Sequence, residues 1–531
     1  MPSALTYPGV YIEEIPSGVR TITGVSTSIT AFMGRAQRGP VATPTLISSF
    51  RDYERLFGGL WLSSPMSYAV RDFFANGGST AVIVRLYNAA QGDGVLVAGK
   101  ARITLDSLEL EALNPGVWGN NLSAYVDYAN RDSSLTIDAA AGMGLANTDL
   151  FNLTVIYTSS VGPTIERYTN VTFKDVTRRV DRVLAQSSNF VRVVPSSTDA
   201  TQPTLPASLA PPAATAANED GSLGIKPTAG SAVDSSPLTD SSYDLTTLDS
   251  VDIFNLLCIP PDTLTGDTST AVYSAAMTYC AGRRAILIVD PPNSLWKGKE
   301  PSALNVTDLG LNGTAARNAA VYYPRIVQPN PLRGSQLEEF VPCGVIAGII
   351  ARTDTERGVW KAPAGVDASL TGVQSLQVKL TDAASGFLNP QGINCLRSLP
   401  VTGHVIWGAR TLRGSDLLAD DYKYLPVRRL ALFIEESIFR GTQWAVFEPN
   451  DEPLWSQIRL NVGSFMQGLF RQSAFQGQSP REAYFVKCDK ETTTQADINS
   501  GIVNITVGFA PLKPAEFVVI RFQQMAGQSA T

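Results

Sequence analysis

The chain has 531 residues, 44 % of them hydrophobic and only 17 % charged, with 43 Gly, 33 Pro and a formal net charge of −6. This excludes a disordered chain and, at roughly 150 residues per domain, points to about three or four domains. The acidic balance excludes a general nucleic-acid binder, which needs a basic footprint. The single histidine, His404, excludes most histidine catalysis and His-rich metal sites.

A charged fraction below the usual value of about 25 % implies an exterior partly covered by partners. Cys258, Cys280, Cys343, Cys395 and Cys488 are far apart and form no CxxC pair. They read as buried reduced thiols of a cytoplasmically made protein. The opening Met1-Pro2-Ser3-Ala4-Leu5-Thr6-Tyr7-Pro8 lacks a basic then apolar stretch, so no signal peptide is expected. The longest apolar run, near 343–351, is far short of the roughly 20 residues of a membrane span, and no membrane insertion is expected.

Along the chain, residues 1–25 read as an arm. Pro2, Pro8 and Pro16 prevent a helix, and Val10, Tyr11, Ile12, Glu13, Glu14 and Ile15 form a strand-like run with no nearby hairpin partner. A lone strand cannot satisfy its own backbone, so it must pair with something distant in this chain or in another. Residues 26–90 read as α/β. A strand is expected over 26–34 and a helix through Tyr53, Leu56 and Phe57, capped by Ser48 or Ser49 and stopped by Gly58 and Gly59. A second helix should follow Pro65, and a buried strand 81–86.

Residues 91–242 read as a mostly β insertion, with strands near 101–105, 122–128, 153–157 and 168–173. Its 195–242 stretch is rich in Pro, Ala, Ser, Thr and Gly and is expected to be a solvated loop. Residues 243–415 return to α/β: strand 251–259, helix 268–281 and strand 285–290 make one βαβ unit. Further helices are expected at 313–321 and 341–351. A last α+β unit, 416–514, carries two amphipathic helices with stripes Leu430, Phe433, Ile434, Ile438 and Leu454, Trp455, Ile458, Val462, Phe465, Met466, Leu469. Strand 502–509, a turn at 511–514 and a final strand 516–522 close the chain, 515–531 being a second arm.

Catalytic motifs are poorly supported. Residues 94–101 (GVLVAGKA) approach the phosphate-cradling pattern GxxxxGK[ST], but Ala101 lacks the hydroxyl that would hold magnesium, and a strand rather than a helix follows. A serine hydrolase would need His404 as base, and no GxSxG occurs. Asp290, Glu448, Asp451 and Glu452 read as helix caps, turn formers and surface charge. No catalytic residue, cofactor or metal ligand is assigned. What stands out is a pair of orphan end strands around a low-charge body, the pattern of strand exchange between identical subunits. A heterologous contact of that kind builds a ring or a helical filament.

Specific strings then resemble the contractile tail sheath proteins: Tyr7-Pro8-Gly9-Val10-Tyr11-Ile12-Glu13-Glu14, Phe32-Met33-Gly34-Arg35-Ala36, Arg357-Gly358-Val359-Trp360-Lys361-Ala362-Pro363-Ala364-Gly365, Leu388-Asn389-Pro390-Gln391-Gly392-Ile393-Asn394 and Val405-Ile406-Trp407-Gly408-Ala409-Arg410-Thr411-Leu412. Val446-Phe447-Glu448-Pro449-Asn450-Asp451 is similar to the family's C-terminal domain. The resemblance covers 1–90 and about 245–525, and leaves the insertion unmatched.

It implies a structural, non-enzymatic subunit of a phage tail or contractile injection system. Such subunits form a helical stack of rings, hexameric in the family, around an inner tube protein, with baseplate and tail terminator proteins as further partners. Contraction drives the tube through a target envelope. The family's α/β body has a subtilisin-like fold, which here lacks the histidine constellation of a protease. The resemblance also implies that arms of neighbouring subunits join in a shared sheet, giving Val10 to Ile15 and Phe517, Val518, Val519, Ile520, Arg521 and Phe522 as subunit contacts, and that the C-terminal domain faces the tube. There the two helices offer Arg428, Arg429, Glu435, Glu436 and Arg440, then Gln457, Arg459, Asn461, Gln467 and Arg471, of which Arg459, Arg471 and Glu435 are the expected tube contacts. The competing readings are an α/β hydrolase or protease using His404, and a non-contractile surface-layer or capsid-like protein.

Overall fold

The computed structural model describes residues 20–88, the backbone of 91–92 and 95–96, and residues 99–129, 132–159, 162–194, 213, 224–227, 235 and 237–521. Its centre is an eight-stranded sheet in the order Thr45–Ile47, Ala81–Arg85, Thr30–Gly34, Leu256–Cys258, Ile286–Val289, Ala319–Tyr323, Ile393–Leu399, Gly403–Ile406. The six inner strands are parallel and the two edge strands antiparallel. Strands from both sides of the insertion thus share one sheet, with Phe32 in register with Ile83 on one side and Cys258 on the other.

Near-continuous apolar strands mean that both faces must be covered, and they are. Side chains alternate between two cores: Phe32, Ile286 and Ile288 enter one, Ala31, Met33, Leu287 and Val289 the other. Helices Phe50–Phe57, Met66–Ala75 and Cys343–Arg357 cover the first face, and helix Thr270–Gly282 covers the second. Ser49 caps the first helix by accepting from Asp52 N at 3.2 Å, and Gly58, at φ 93°, ends it. Helix Cys343–Arg357 lies against Met66–Ala75 at a spacing only glycine permits. A Cβ on Gly344 would stand 2.0 Å from Ala69 O, and one on Gly348 2.5 Å from Phe73 O.

Two expectations are corrected. The 313–321 segment is not a helix: Thr314–Asn318 is a 3-10 turn, and Ala319–Tyr323 is a central strand buried on both faces. Its alanines favour helix, but a short apolar run has no decisive period, and the parallel ladder prevails. The 251–259 strand shrinks to Leu256–Cys258, preceded by the 3-10 segment Leu245–Ser250. The described part of the insertion is mostly β, with two short helices. Two three-stranded sheets share a core around Trp118, to which helix Val180–Ser187 adds Val180 and Leu184; the strands Leu108–Ala112 and Val191–Val193, both in one of these sheets, and helix Ser134–Gly142 were unforeseen.

The insertion is tied to the sheet by arginines. Arg38 reaches over Tyr157 and Phe190, 4.9 and 5.2 Å from the ring centroids. Arg85 is 1 % exposed and donates to the carbonyls of Gly39 and Pro115. The 195–242 stretch is also pinned at several points. Ile225 bridges Ala124, Arg35 donates to the Ser235 carbonyl at 3.0 Å, and Leu238 N donates to Asp262 at 3.1 Å.

Candidate subunit interface

The last part of the chain is built on two helices. Helix Leu425–Gly441 follows an extended Tyr424, with Pro426 in its first turn. Helix Glu452–Arg471 is capped by Asp451, which accepts from Leu454 N at 3.2 Å. Leu430 and Ile434 of the first meet Leu454, Trp455, Ile458, Val462, Met466 and Leu469 of the second. The antiparallel pair Tyr484–Lys487 and Thr506–Phe509 leans on this core through Tyr484, Val486, Val507 and Phe509.

Both chain ends start from anchored roots. On the N-terminal side, Arg20 N donates to Asn461 Oδ1 at 3.0 Å, its guanidinium covers the Trp444 ring at 4.5 Å, Ile22 is buried in the two-helix core, and Val25 N donates to Ser437 Oγ at 3.2 Å. Val10, Tyr11, Ile12, Glu13, Glu14 and Ile15 lie outside the described residues, as does Phe522. On the C-terminal side, Glu516 accepts from Arg410 Nε and Nη2 at 2.7 and 2.5 Å. Beyond it, Phe517, Val518, Val519 and Ile520 are 70 to 81 % exposed. Among the described residues the strand expected at 516–522 is not formed: from Glu516 through Arg521 the backbone has no strand partner there. A cleft of about 1080 Å³ opens beside this root, lined by Trp360, Lys361, Arg397, Trp407, Lys513 and Phe517.

The expected tube-facing charges divide sharply. Arg429 is 4 % exposed and faces inward, bonded to Asp354. Glu436 and Arg440 pair with each other and with Arg284 and Asp252 of the sheet region. Arg428 donates to Asn318. The polar side of helix Leu425–Gly441 is therefore largely a seam inside the chain. Glu435 remains half-exposed, 3.5 Å from Arg428 and 3.9 Å from Arg284.

On helix Glu452–Arg471, Asn461 is 1 % exposed and Gln467 accepts from the Tyr484 hydroxyl at 2.9 Å. Arg459 is engaged internally, donating to the Cys488 carbonyl and to Glu452. Arg471 is exposed and forms no ion pair among the described residues. The outward face runs Gln457, Leu460, Ser464, Arg471, at helical spacing. Sequence reasoning missed Arg410, Glu516 and Asn461 as anchors; Arg410 and Asn389, whose carbonyl it also binds, both sit inside the quoted family strings.

The enzyme-like features take structural positions. His404 pairs across the edge hairpin with Ser398, its Nδ1 2.7 Å from Ser398 Oγ, while Nε2 lies 3.2 Å from the Gln374 carbonyl. Among the described residues no carboxylate orients the ring, as a hydrolase base of the triad kind requires. Asp290 caps helix Cys343–Arg357, accepting from Cys343 N at 3.0 Å. It is not surface charge: it is 4 % exposed, and burial pushes its carboxyl up to about 7. All five cysteines are buried and free. Among the described residues no group of three His, Cys, Asp or Glu could hold a metal ion, and no helix is long and apolar enough to cross a membrane.

The fold is thus a parallel-sheet body joined to a two-helix unit, with the N-terminal root held by the two-helix unit and the C-terminal root held by Arg410 of the body. Residues 245–412 match the phage tail sheath protein central domain, and residues 419–525 match the phage tail sheath C-terminal domain. The chain belongs to the phage tail sheath family. It is 25 % identical over 190 residues to the tail sheath protein of Enterobacteria phage T4, a stretch covering 35 % of this chain and 28 % of that one. It is 26 % identical over 180 residues to the tail sheath protein of Vibrio phage KVP40, covering 34 % and 26 %. The matched stretch thus spans about a quarter of the length of these relatives.

Among solved structures, it resembles the anti-feeding prophage helical sheath in the contracted state, at 25 % identity and TM-score 0.55, over 98 % of this chain and 99 % of that one. The sheath complex of the extracellular contractile injection system PVC, also contracted, shares the fold at 22 % identity and TM-score 0.58, over 98 % of each chain. The sheath tail protein of Listeria innocua shares it at 14 % identity and TM-score 0.59, over 93 % and 96 %.

Proposed function

We propose that the chain is the repeating subunit of a contractile sheath in a virion tail or injection apparatus. Copies stack as rings, six subunits each by family analogy, around an inner tube protein and between baseplate and terminator proteins. Subunits stay linked through exchanged terminal strands while their α/β bodies change neighbours. The observation that carries the reading is the run Phe517, Val518, Val519, Ile520, four apolar residues at 70 to 81 % exposure directly after an anchored root. An apolar, β-branched-rich segment whose backbone has no strand partner among the described residues suits the donor half of a β-augmentation contact.

Contraction then requires only a lower interface energy in the shorter form. We further propose Arg471 as a contact to the tube, with Gln457 and Ser464 beside it. Arg459 and Glu435, already engaged within the chain, contribute less. The division into an N-terminal arm at 1–25, a body at 26–90 and 243–415, an outward-facing insertion at 91–242, a tube-facing unit at 416–514 and a C-terminal arm at 515–531 belongs to the same proposal.

The test is truncation after Glu516. It removes the apolar run and keeps the anchor, so the product should be folded, soluble and unassembled. Electron microscopy that finds long sheaths of normal yield from this truncation overturns the arm reading.

A further inference from the structure

Arg410 is an enclosed charge at the root of the C-terminal arm, its side chain 1 % exposed. Every nitrogen of its guanidinium has a partner. Nη1 donates to the carbonyls of Asn389 and Gly414 and to Asp416 Oδ1, at 2.9, 3.0 and 3.0 Å. Nε and Nη2 donate only to Glu516, in the parallel two-bond geometry that an arginine fork gives a carboxylate. The Tyr424 hydroxyl donates a further bond to Glu516 Oε2 at 3.3 Å. Withdrawing Glu516 would leave two donor nitrogens buried without a partner, the arrangement proteins tolerate least.

The location gives this pair a role beyond stability. Upstream, the trailing chain is tied to the two-helix unit, where Phe475 bridges Pro511 and Gln476 N donates to the Ala510 carbonyl at 2.9 Å. Within six residues it crosses to Arg410, which follows the sheet's edge strand Gly403–Ile406. One residue after Glu516 the exposure rises to 77 %, at Phe517. The boundary between held chain and free arm is therefore a single residue.

We infer that the Arg410–Glu516 pair is the pivot of the C-terminal arm: it fixes the arm's root to the sheet body, so the arm's departure direction follows the body and bending is confined to residues after 516. The inference rests on the sheath reading and adds a positioning residue to it. Glu516 makes no contact with the neighbouring subunit in this scheme; it acts by aiming the segment that does.

The experiment uses the full chain with spin labels at Ala515→Cys and Val366→Cys, both exposed positions, the native cysteines being buried. With Glu516 present, the label-to-label distance should be narrowly distributed. Glu516→Gln keeps the shape but offers Arg410 one acceptor instead of two, so the distribution should broaden. The yield of pelletable sheath should then fall about tenfold, the shift that 1.4 kcal/mol of weakened anchoring produces. Melting of the unassembled chain should move by only a few degrees.

Unchanged width, or normal sheath yield with a broadened width, overturns the pivot. If Glu516→Gln does not fold, Tyr424→Phe removes one donor to the same carboxylate and is read in the same way. The truncation after Glu516 separates the two ideas. If it blocks assembly while Glu516→Gln assembles normally, the arm stands and the pivot falls; if the truncation itself assembles, the arm reading falls.

Discussion

The clasp between Arg429 and Asp354 should carry the attachment of the two-helix unit to the sheet body. Nη1 and Nη2 of Arg429 donate to the two carboxylate oxygens at 2.7 and 2.5 Å, and Nη2 also donates to the Thr27 carbonyl at 2.8 Å. Both side chains are 3 % exposed, so neither charge can fall back on water. Asp354→Asn keeps the shape and removes the charge, leaving a buried guanidinium with one neutral carbonyl and, in place of the second carboxylate oxygen, an NH2 donor turned toward its own N–H groups. The expected loss is about 3–5 kcal/mol. For a unit of this size that corresponds to melting about 6–20 °C lower.

The assay is urea unfolding of the unassembled chain, followed by tryptophan fluorescence. The midpoint should fall while the slope with urea stays constant. The double variant Asp354→Leu with Arg429→Met should recover most of the loss, because two well-packed apolar side chains leave no unpaired charge. A single-variant loss below about 1 kcal/mol, the range of an exposed pair, would refute the reasoning.

Four further outcomes are expected. Asp290 titrates near 7 when folded against 3.8 as a free carboxyl, so between those values the folded state holds a proton that the unfolded state has lost. Its stabilising contribution is complete below pH 3.8 and is lost as pH rises through 7, at up to about 1.4 kcal/mol per pH unit, and Asp290→Asn should flatten that part of the stability profile. Gly348→Ala places a Cβ 2.5 Å from Phe73 O and 2.7 Å from Asn76 Cβ, and should cost about 1–3 kcal/mol, read by thermal melting. Arg471→Glu should leave stability within about 0.5 kcal/mol and reduce sheathing of tubes in a salt-dependent way. Arg459→Glu should instead lower stability, since it breaks the bonds to Glu452 and the Cys488 carbonyl.

How much of this was legible depended on whether the deciding contacts were local. The caps at Ser49 and Asp451, the stop at Gly58, the βαβ unit around helix Thr270–Gly282 and the apolar stripe of helix Glu452–Arg471 all rest on neighbours within a few residues. What was lost lay in long-range pairing. Ala319–Tyr323 became a strand because Val289 and Ile393 flank Val321, tens of residues away. Arg429 looked like one more charge on an amphipathic helix. Its buried partner is 75 positions earlier, and nothing in the helix distinguishes it from Arg428. The same holds for Asn461, whose partner is the backbone of Arg20 at a separation of 441 residues.

The two roots are anchored crosswise, and this bears on how a sheath could keep its links while its bodies move. The N-terminal root, at Arg20 and Ile22, is held by the two-helix unit, although the strand it leads into, Thr30–Gly34, sits at the centre of the sheet. The C-terminal root leaves the two-helix unit near Pro511 yet is held by Arg410 at the edge of the body. Each end of the chain is thus fixed to the unit opposite the one it continues from, and any opening between body and two-helix unit would strain both roots at once. The Arg429–Asp354 clasp, the Arg284–Glu436 pair and the Arg440–Asp252 pair resist that opening along the same seam. Of these, the Arg429–Asp354 clasp is the buried one, both side chains being 3 % exposed. On the sheath reading, the rearrangement of contraction must fall outside the anchored core, in the apolar residues after Glu516 and in the contacts between neighbouring bodies.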